Sequence, residues 1–196
     1  MQGLNPGSGK LRVEEAEFMH KYMFLALLLA APVFGQNQAP DLRTAAGCGP
    51  AKTKFDVKTD KKQHAVTQPE AGKALVYVIE QEDLDPHEMQ IGHVTTRVGL
   101  DGNWVGANHE WSYMFFAVEP GNHRVCTDVQ SMLVSAAKMS GAADLTAEAG
   151  KTYYYRVYVM TGEKEQSPYL RLKAVDEAEG LLLVSKSALS TWKVKN

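Results

Sequence analysis

Apolar and polar positions alternate in short runs along most of the chain after residue 73. The run 73–81 (KALVYVIEQ) is rich in β-branched and aromatic residues and too short for a helix, so it predicts a strand. Residues 82–93 read as a loop, marked by Pro86 and Gly92. Strands over 94–100 and 103–108 flank Asp101-Gly102, a hairpin dipeptide whose glycine accepts positive φ without steric cost. Residues 111–118 (WSYMFFAV) form the next strand, Pro120-Gly121 a tight turn, and 123–131 a further strand. Residues 132–143 are small and Met-rich and read as a short helix or a loop. After the turn Ala149-Gly150-Lys151 comes 152–160 (TYYYRVYVM), the most strand-like run of all, and then a loop over 161–167. In 169–175 (YLRLKAV), Tyr169, Arg171 and Lys173 alternate with Leu170, Leu172 and Ala174, giving one wet face and one buried face. The best helix candidate is 176–189, with acidic residues in its first turn and Gly180 as its weak point.

Six or seven strands joined by Gly- or Pro-bearing turns, with no long helices between them, predict an all-β fold: an antiparallel β-sandwich, immunoglobulin- or transthyretin-like, with one short C-terminal helix. Phe115, Val118, Val125, Tyr155, Val157, Leu170 and Leu172 are expected to share one core.

The N-terminal third follows a different pattern. His20 and Lys21 precede the apolar run 23–31 (MFLALLLAA), and Val33 and Gly35 supply small residues before the polar Gln36-Asn37-Gln38. This is the layout of a secretory signal with cleavage after Gly35, and the run is shorter than the ~20 residues a membrane span needs. Residues 1–18 lie upstream of it, are rich in turn residues, and carry no apolar periodicity. Glu14-Glu15, which GAG codons would encode, resembles a ribosome-binding site just ahead of Met19, so Met19 is the expected start. Residues 36–72 are polar, with only Phe55 and Val57 alternating as an edge strand would. The expected organisation is therefore a mis-assigned upstream extension (1–18), a signal peptide (19–35), a polar strap or linker (36–72) and a β-sandwich (73–196).

Composition narrows the function classes. With 21 Lys and Arg against 23 Asp and Glu, the 196-residue chain has a net charge of -2. General nucleic-acid binding needs clustered basic residues and is disfavoured. The two cysteines are too few for a disulfide scaffold or a Cys-based zinc module. An exported chain does meet an oxidising compartment, where a bridge between Cys48 and Cys126 can persist and would pin the strap onto a strand. The sequence Ala45-Ala46-Gly47-Cys48 also resembles a lipoprotein box, but Pro40, Asp41 and Arg43 separate it from the apolar run.

The stretches ALVYVI, VGLDGNWVG, AVEPGNHRVC and AGKTYYYRV occur in that order between Ala74 and Lys186. In this order they resemble a bacterial family of exported domains, domain-of-unknown-function family 2846. The segment CGPAKTKFDVKTDK is similar to exported homologues from soil bacteria. The resemblance implies a β-sandwich outside the cytoplasm. It implies no activity and supplies no catalytic residues.

Candidate chemistry is sparse. His87 and His93 are six residues apart, unlike the zinc-protease HExxH, but His87, Glu88, His93 and His109 lie in or beside loops that one end of a sandwich could bring together as a zinc or copper site. Neither a G-x-S-x-G elbow nor a phosphate-binding glycine loop is present. Tyr153 and Tyr155 should face one way, with Tyr154 and Tyr158 facing the other. One pair is then core or half-core, and the other either packs on the opposite face of the sheet or forms an aromatic surface that stacks on sugar rings or grips a partner. The reading that follows is an exported cell-envelope module, binding or structural and non-catalytic. A periplasmic metal- or carbohydrate-binding protein is the alternative, and a hydrolase the weaker one. The expected partner is an envelope protein or a glycan, with no nucleic acid, no cofactor and no membrane span in the mature chain.

Overall fold

The computed structural model describes residues 48–81, 94–130, 139–160 and 169–195. Residues 1–47, with the expected signal and cleavage site, lie outside the described residues, as does the loop carrying His87, Glu88 and His93. Among the described residues there are ten strands and one helix. The strands are β1 (Phe55–Asp60), β2 (Ala74–Glu80), β3 (Thr95–Leu100), β4 (Asn103–His109), β5 (Ser112–Val118), β6 (Gly121–Gln130), β7 (Ser140–Ala147), β8 (Thr152–Met160), β9 (Tyr169–Val175) and β10 (Ala188–Val194). Helix α1 (Glu177–Lys186) lies between β9 and β10.

The strands form two sheets, one in the order β1-β10-β5-β2-β8-β9 and one in the order β4-β3-β6-β7. The expected all-β sandwich with one short helix is therefore present. Its larger sheet is mixed, because β2 pairs with β8 and β5 with β10 in parallel. Val76, Val78, Val98, Met114, Val125, Tyr155, Val157, Leu170 and Leu172 fill the space between the sheets. A second apolar layer lies on the other face of the six-stranded sheet, where α1 brings Leu183 and Val184 onto Leu75, Tyr77, Ile79, Tyr113 and Tyr154. With both faces covered, β2 is buried at all seven positions. Its continuous apolar run is the sequence trace of that burial.

Several expectations need correction. Phe115 is not in the inter-sheet core with the other six residues; it packs on the helix side, 5.4 Å from the Tyr77 ring. The small residues at 140–143 open strand β7, neither helix nor loop. Smallness suits close packing there, because a Cβ on Gly141 would collide with the Leu170 carbonyl of β9. The helix stops at Lys186, where Ser187 turns extended (φ -107, ψ 152), and Ala188 and Leu189 begin a last strand. The helix starts at Glu177, after Asp176, whose side chain accepts the Glu179 N–H at 2.8 Å as a cap, and Glu177 and Glu179 supply the expected acidic first turn. Strand β1, within the polar segment 36–72, forms the edge of the six-stranded sheet and pairs with β10 from Phe55↔Val194 to Asp60↔Leu189.

Candidate functional site

Among the described residues, the most extensive set of side-chain polar contacts holds residues 48–55 against the outer face of the four-stranded sheet. On β3 and β6 the residues facing away from the core are Arg97, Gly99, Cys126, Asp128 and Gln130, because Val98, Val125 and Val129 face inward. Cys48 and Cys126 form a disulfide with Cα atoms 5.5 Å apart, and both residues are buried. Arg97 makes a forked ion pair with Asp128, with both N–O distances 2.7 Å. Its remaining nitrogen donates to the carbonyls of Ala51 (3.2 Å) and Thr53 (2.6 Å), and its guanidinium lies 4.4 Å from the Trp104 ring centre. The Trp104 indole N–H donates to the Pro50 carbonyl at 2.9 Å. Gln130 pairs through its side chain with the N–H and C=O of Phe55, as a neighbouring strand would. Burial pushes the Asp128 carboxyl up, and the Arg97 fork only partly offsets it. Gly99 completes the seat, since a Cβ there would run into the Cys48 carbonyl.

A second polar set lies inside the sandwich, at the end where β2, β6 and β8 finish. Residues 74, 76, 78 and 80 of β2 share the core face, so Glu80 points inward and is 3% exposed. It accepts the Thr96 hydroxyl at 2.6 Å. Asn108 donates to the Val78 carbonyl at 2.9 Å, and Ser112 shares a 2.6 Å hydroxyl contact with Ser190. Sequence reasoning missed Glu80 as a feature. The available signal was its parity, an acid in step with three apolar core positions of one strand.

Of the four metal candidates only His109 is among the described residues. Its Nδ1 lies 3.3 Å from the Thr95 hydroxyl, and Glu110 next to it accepts the Val94 N–H at 3.4 Å. The β4–β5 turn therefore lies beside the point where the chain re-enters β3 after the 82–93 loop. No cluster of three or more His, Cys, Asp or Glu side chains suited to a metal occurs among the described residues.

The tyrosines divide as their parity requires. Tyr155 is buried in the inter-sheet core and donates to the Asp144 carbonyl at 3.1 Å, while the Tyr153 hydroxyl accepts the Glu148 N–H at 3.0 Å. Tyr154 faces the other way and lies under α1, stacked on Tyr77 with ring centres 5.0 Å apart. A Cβ on Gly180 would strike the Tyr154 ring, so only glycine lets the helix settle there. Burial pushes the hydroxyls of Tyr77, Tyr113, Tyr154 and Tyr155 up, keeping them neutral. Tyr158 is half-buried on the same face as Tyr154, beyond the helix, with the Arg156 guanidinium 4.6 Å from its ring centre. The four rings therefore do not form one exposed platform. The chain matches no protein-family model and no curated protein.

Proposed function

We propose that the chain is an exported component of the cell envelope and works there as a non-catalytic binding or structural module. The observation that carries this reading is the buried Cys48–Cys126 bridge, a bond that persists in oxidising compartments and is rare in the cytosol. The signal-like run at 23–31 and the resemblance to exported domains of family 2846 support it. The best-made polar contacts also support it. Arg97, Trp104, Gln130 and the disulfide all hold one part of the chain against another, as a stable module requires.

The test is expression of the chain with its own leader in a bacterial host, followed by fractionation and intact-mass measurement. The expected product begins at Gln36, lies outside the cytoplasm, and lacks the two hydrogens lost on forming the bridge. A cytoplasmic chain that keeps residues 19–31 and two free thiols would overturn the reading. An acylated Cys48 would replace it with a lipoprotein, since an acylated sulfur cannot also bridge to Cys126.

A further inference from the structure

The ladder between β8 and β9 has an unusual outer face. Register places Arg156 opposite Lys173, Tyr158 opposite Arg171, and Met160 opposite Tyr169. Leu170 and Leu172 point the other way, into the core. Directly opposed side chains of like charge disfavour strand pairing. Here one such pair, Arg156 and Lys173, is followed by a third cation at Arg171. Arg156 is itself tied down: it donates to the Gln81 carbonyl at 3.1 Å, reaches Glu179 at 3.8 Å and stacks on Tyr158. Arg171 and Lys173 are exposed and have no ion-pair partner among the described residues. Tyr169 is exposed to 44%, in line with them along β9. Among the described residues the acidic side chains near this ladder sit at its other end, where Asp176 caps α1 and Glu179 faces Arg156; Glu163 and Glu165, in the segment that joins β8 to β9, lie outside the described residues.

We propose that this face binds an anionic polysaccharide, with a sugar ring on Tyr169 and acid groups at Arg171 and Lys173. The inference rests on the envelope-module reading and names its ligand class. Side chains two apart on one strand face project about 7 Å from each other, so β9 offers a ring and two cations in a regular row. A pyranose stacks its C–H face on an aromatic ring, and a carboxylate on the next unit meets a cation. The chain as a whole is slightly acidic, so the basic character belongs to this face and not to the composition.

The purified, disulfide-bonded chain is titrated calorimetrically with polygalacturonate, with its neutral methyl ester, and with poly-glutamate. Polygalacturonate should bind, with an affinity that falls as salt rises, and each of the other two should bind at least about tenfold more weakly. Arg171→Gln with Lys173→Gln should weaken binding about tenfold or more, and Tyr169→Ala severalfold, with melting temperatures near that of the parent. Lys52→Gln with Lys58→Gln, away from β8 and β9, should leave binding unchanged. Absence of polygalacturonate binding would overturn the proposal. So would equal binding of poly-glutamate, which needs charge alone, or full binding by the Arg171/Lys173 variant. Should that double variant melt early, Lys173→Glu alone carries the same expectation. The titration is independent of export. An exported chain that binds nothing sinks the ligand, and a binding chain retained in the cytoplasm sinks the envelope reading.

Discussion

The strap over the four-stranded sheet and the helix over the six-stranded sheet both cover an outer face, but with different chemistry. Helix α1 brings its own apolar residues, Leu183 and Val184, and presses them onto a layer of tyrosines. The strap residues Gly49-Pro50-Ala51-Lys52-Thr53-Lys54 have almost nothing apolar to offer. The sheet therefore holds their backbone, through Arg97, Trp104 and Gln130, and fixes the end with a covalent bond. Apolar burial is worth roughly 25 cal/mol per Å², so the helix can hold itself in place by area alone. A single hydrogen bond nets only about 1 kcal/mol, so the strap needs several together with the bridge.

That difference predicts where the molecule is most easily weakened. The largest effect should come from the disulfide, which closes a separation of 78 residues. The chain-entropy argument puts the loss on reduction at ~4.5 kcal/mol, an upper bound if the freed strap gains motion in the native state. Urea unfolding of oxidised and reduced protein measures it, and Trp104 emission should shift as the strap leaves its indole. A loss under about 1 kcal/mol would mean that the polar anchors suffice, and the contrast with the helix would fail.

On the helix side, Leu183→Ala should cost about 3 kcal/mol, close to Leu172→Ala in the inter-sheet core. Both are buried leucines in packed layers. If Leu183→Ala were silent while Leu172→Ala was not, α1 would be an accessory and not a second core. The Arg97 fork comes next. Arg97→Met leaves Asp128 without its partner in a site that remains largely enclosed, and about 2 kcal/mol should be lost. Adding Asp128→Leu should restore much of it, because replacing both partners of an enclosed pair by apolar groups is often neutral. No recovery in the double variant would show that Arg97 acts chiefly through the Ala51 and Thr53 carbonyls.

The same contrast explains what could be read from the sequence. Strand β8 and the start of α1 were legible because their signals are local: a nine-residue β-branched and aromatic run, and an acidic first turn behind an Asp cap. The disulfide was legible by pairing the only two cysteines. The seat of the strap was not, since its anchors are single residues spread over β3, β4 and β6 that meet only through register. Strand β7 was missed because glycine and alanine carry no strand signature, although the close approach of β9 requires glycine at 141. Glu80 was passed over for a related reason. One acid at the end of an apolar strand looks like a boundary until parity places it inside.

The smallest expected effect is a pH dependence from a contact that belongs to neither cover. His123 on β6 directs Nδ1 at the Asp101 carboxylate (2.7 Å) and Nε2 at the Glu119 carbonyl (2.8 Å), tying the β3–β4 turn to the β5–β6 turn. Two acceptors on one ring favour the imidazolium, the only form in which both nitrogens carry protons. The Asp101 hydrogen bond accordingly raises the His123 pKa above its ordinary value of 6.5. The native chain then binds this proton more tightly than the unfolded chain does. The stabilisation is complete below the unfolded-state value and is lost as pH rises through the raised folded-state value. Because Asp101 is half exposed, the effect should stay below about 1 kcal/mol. Urea midpoints of the parent and of His123→Gln, compared from about pH 5 to 9, should differ at the acid end and converge at the alkaline end. A gap that widened with pH would reverse the sign, and His123 would then be held as the neutral ring.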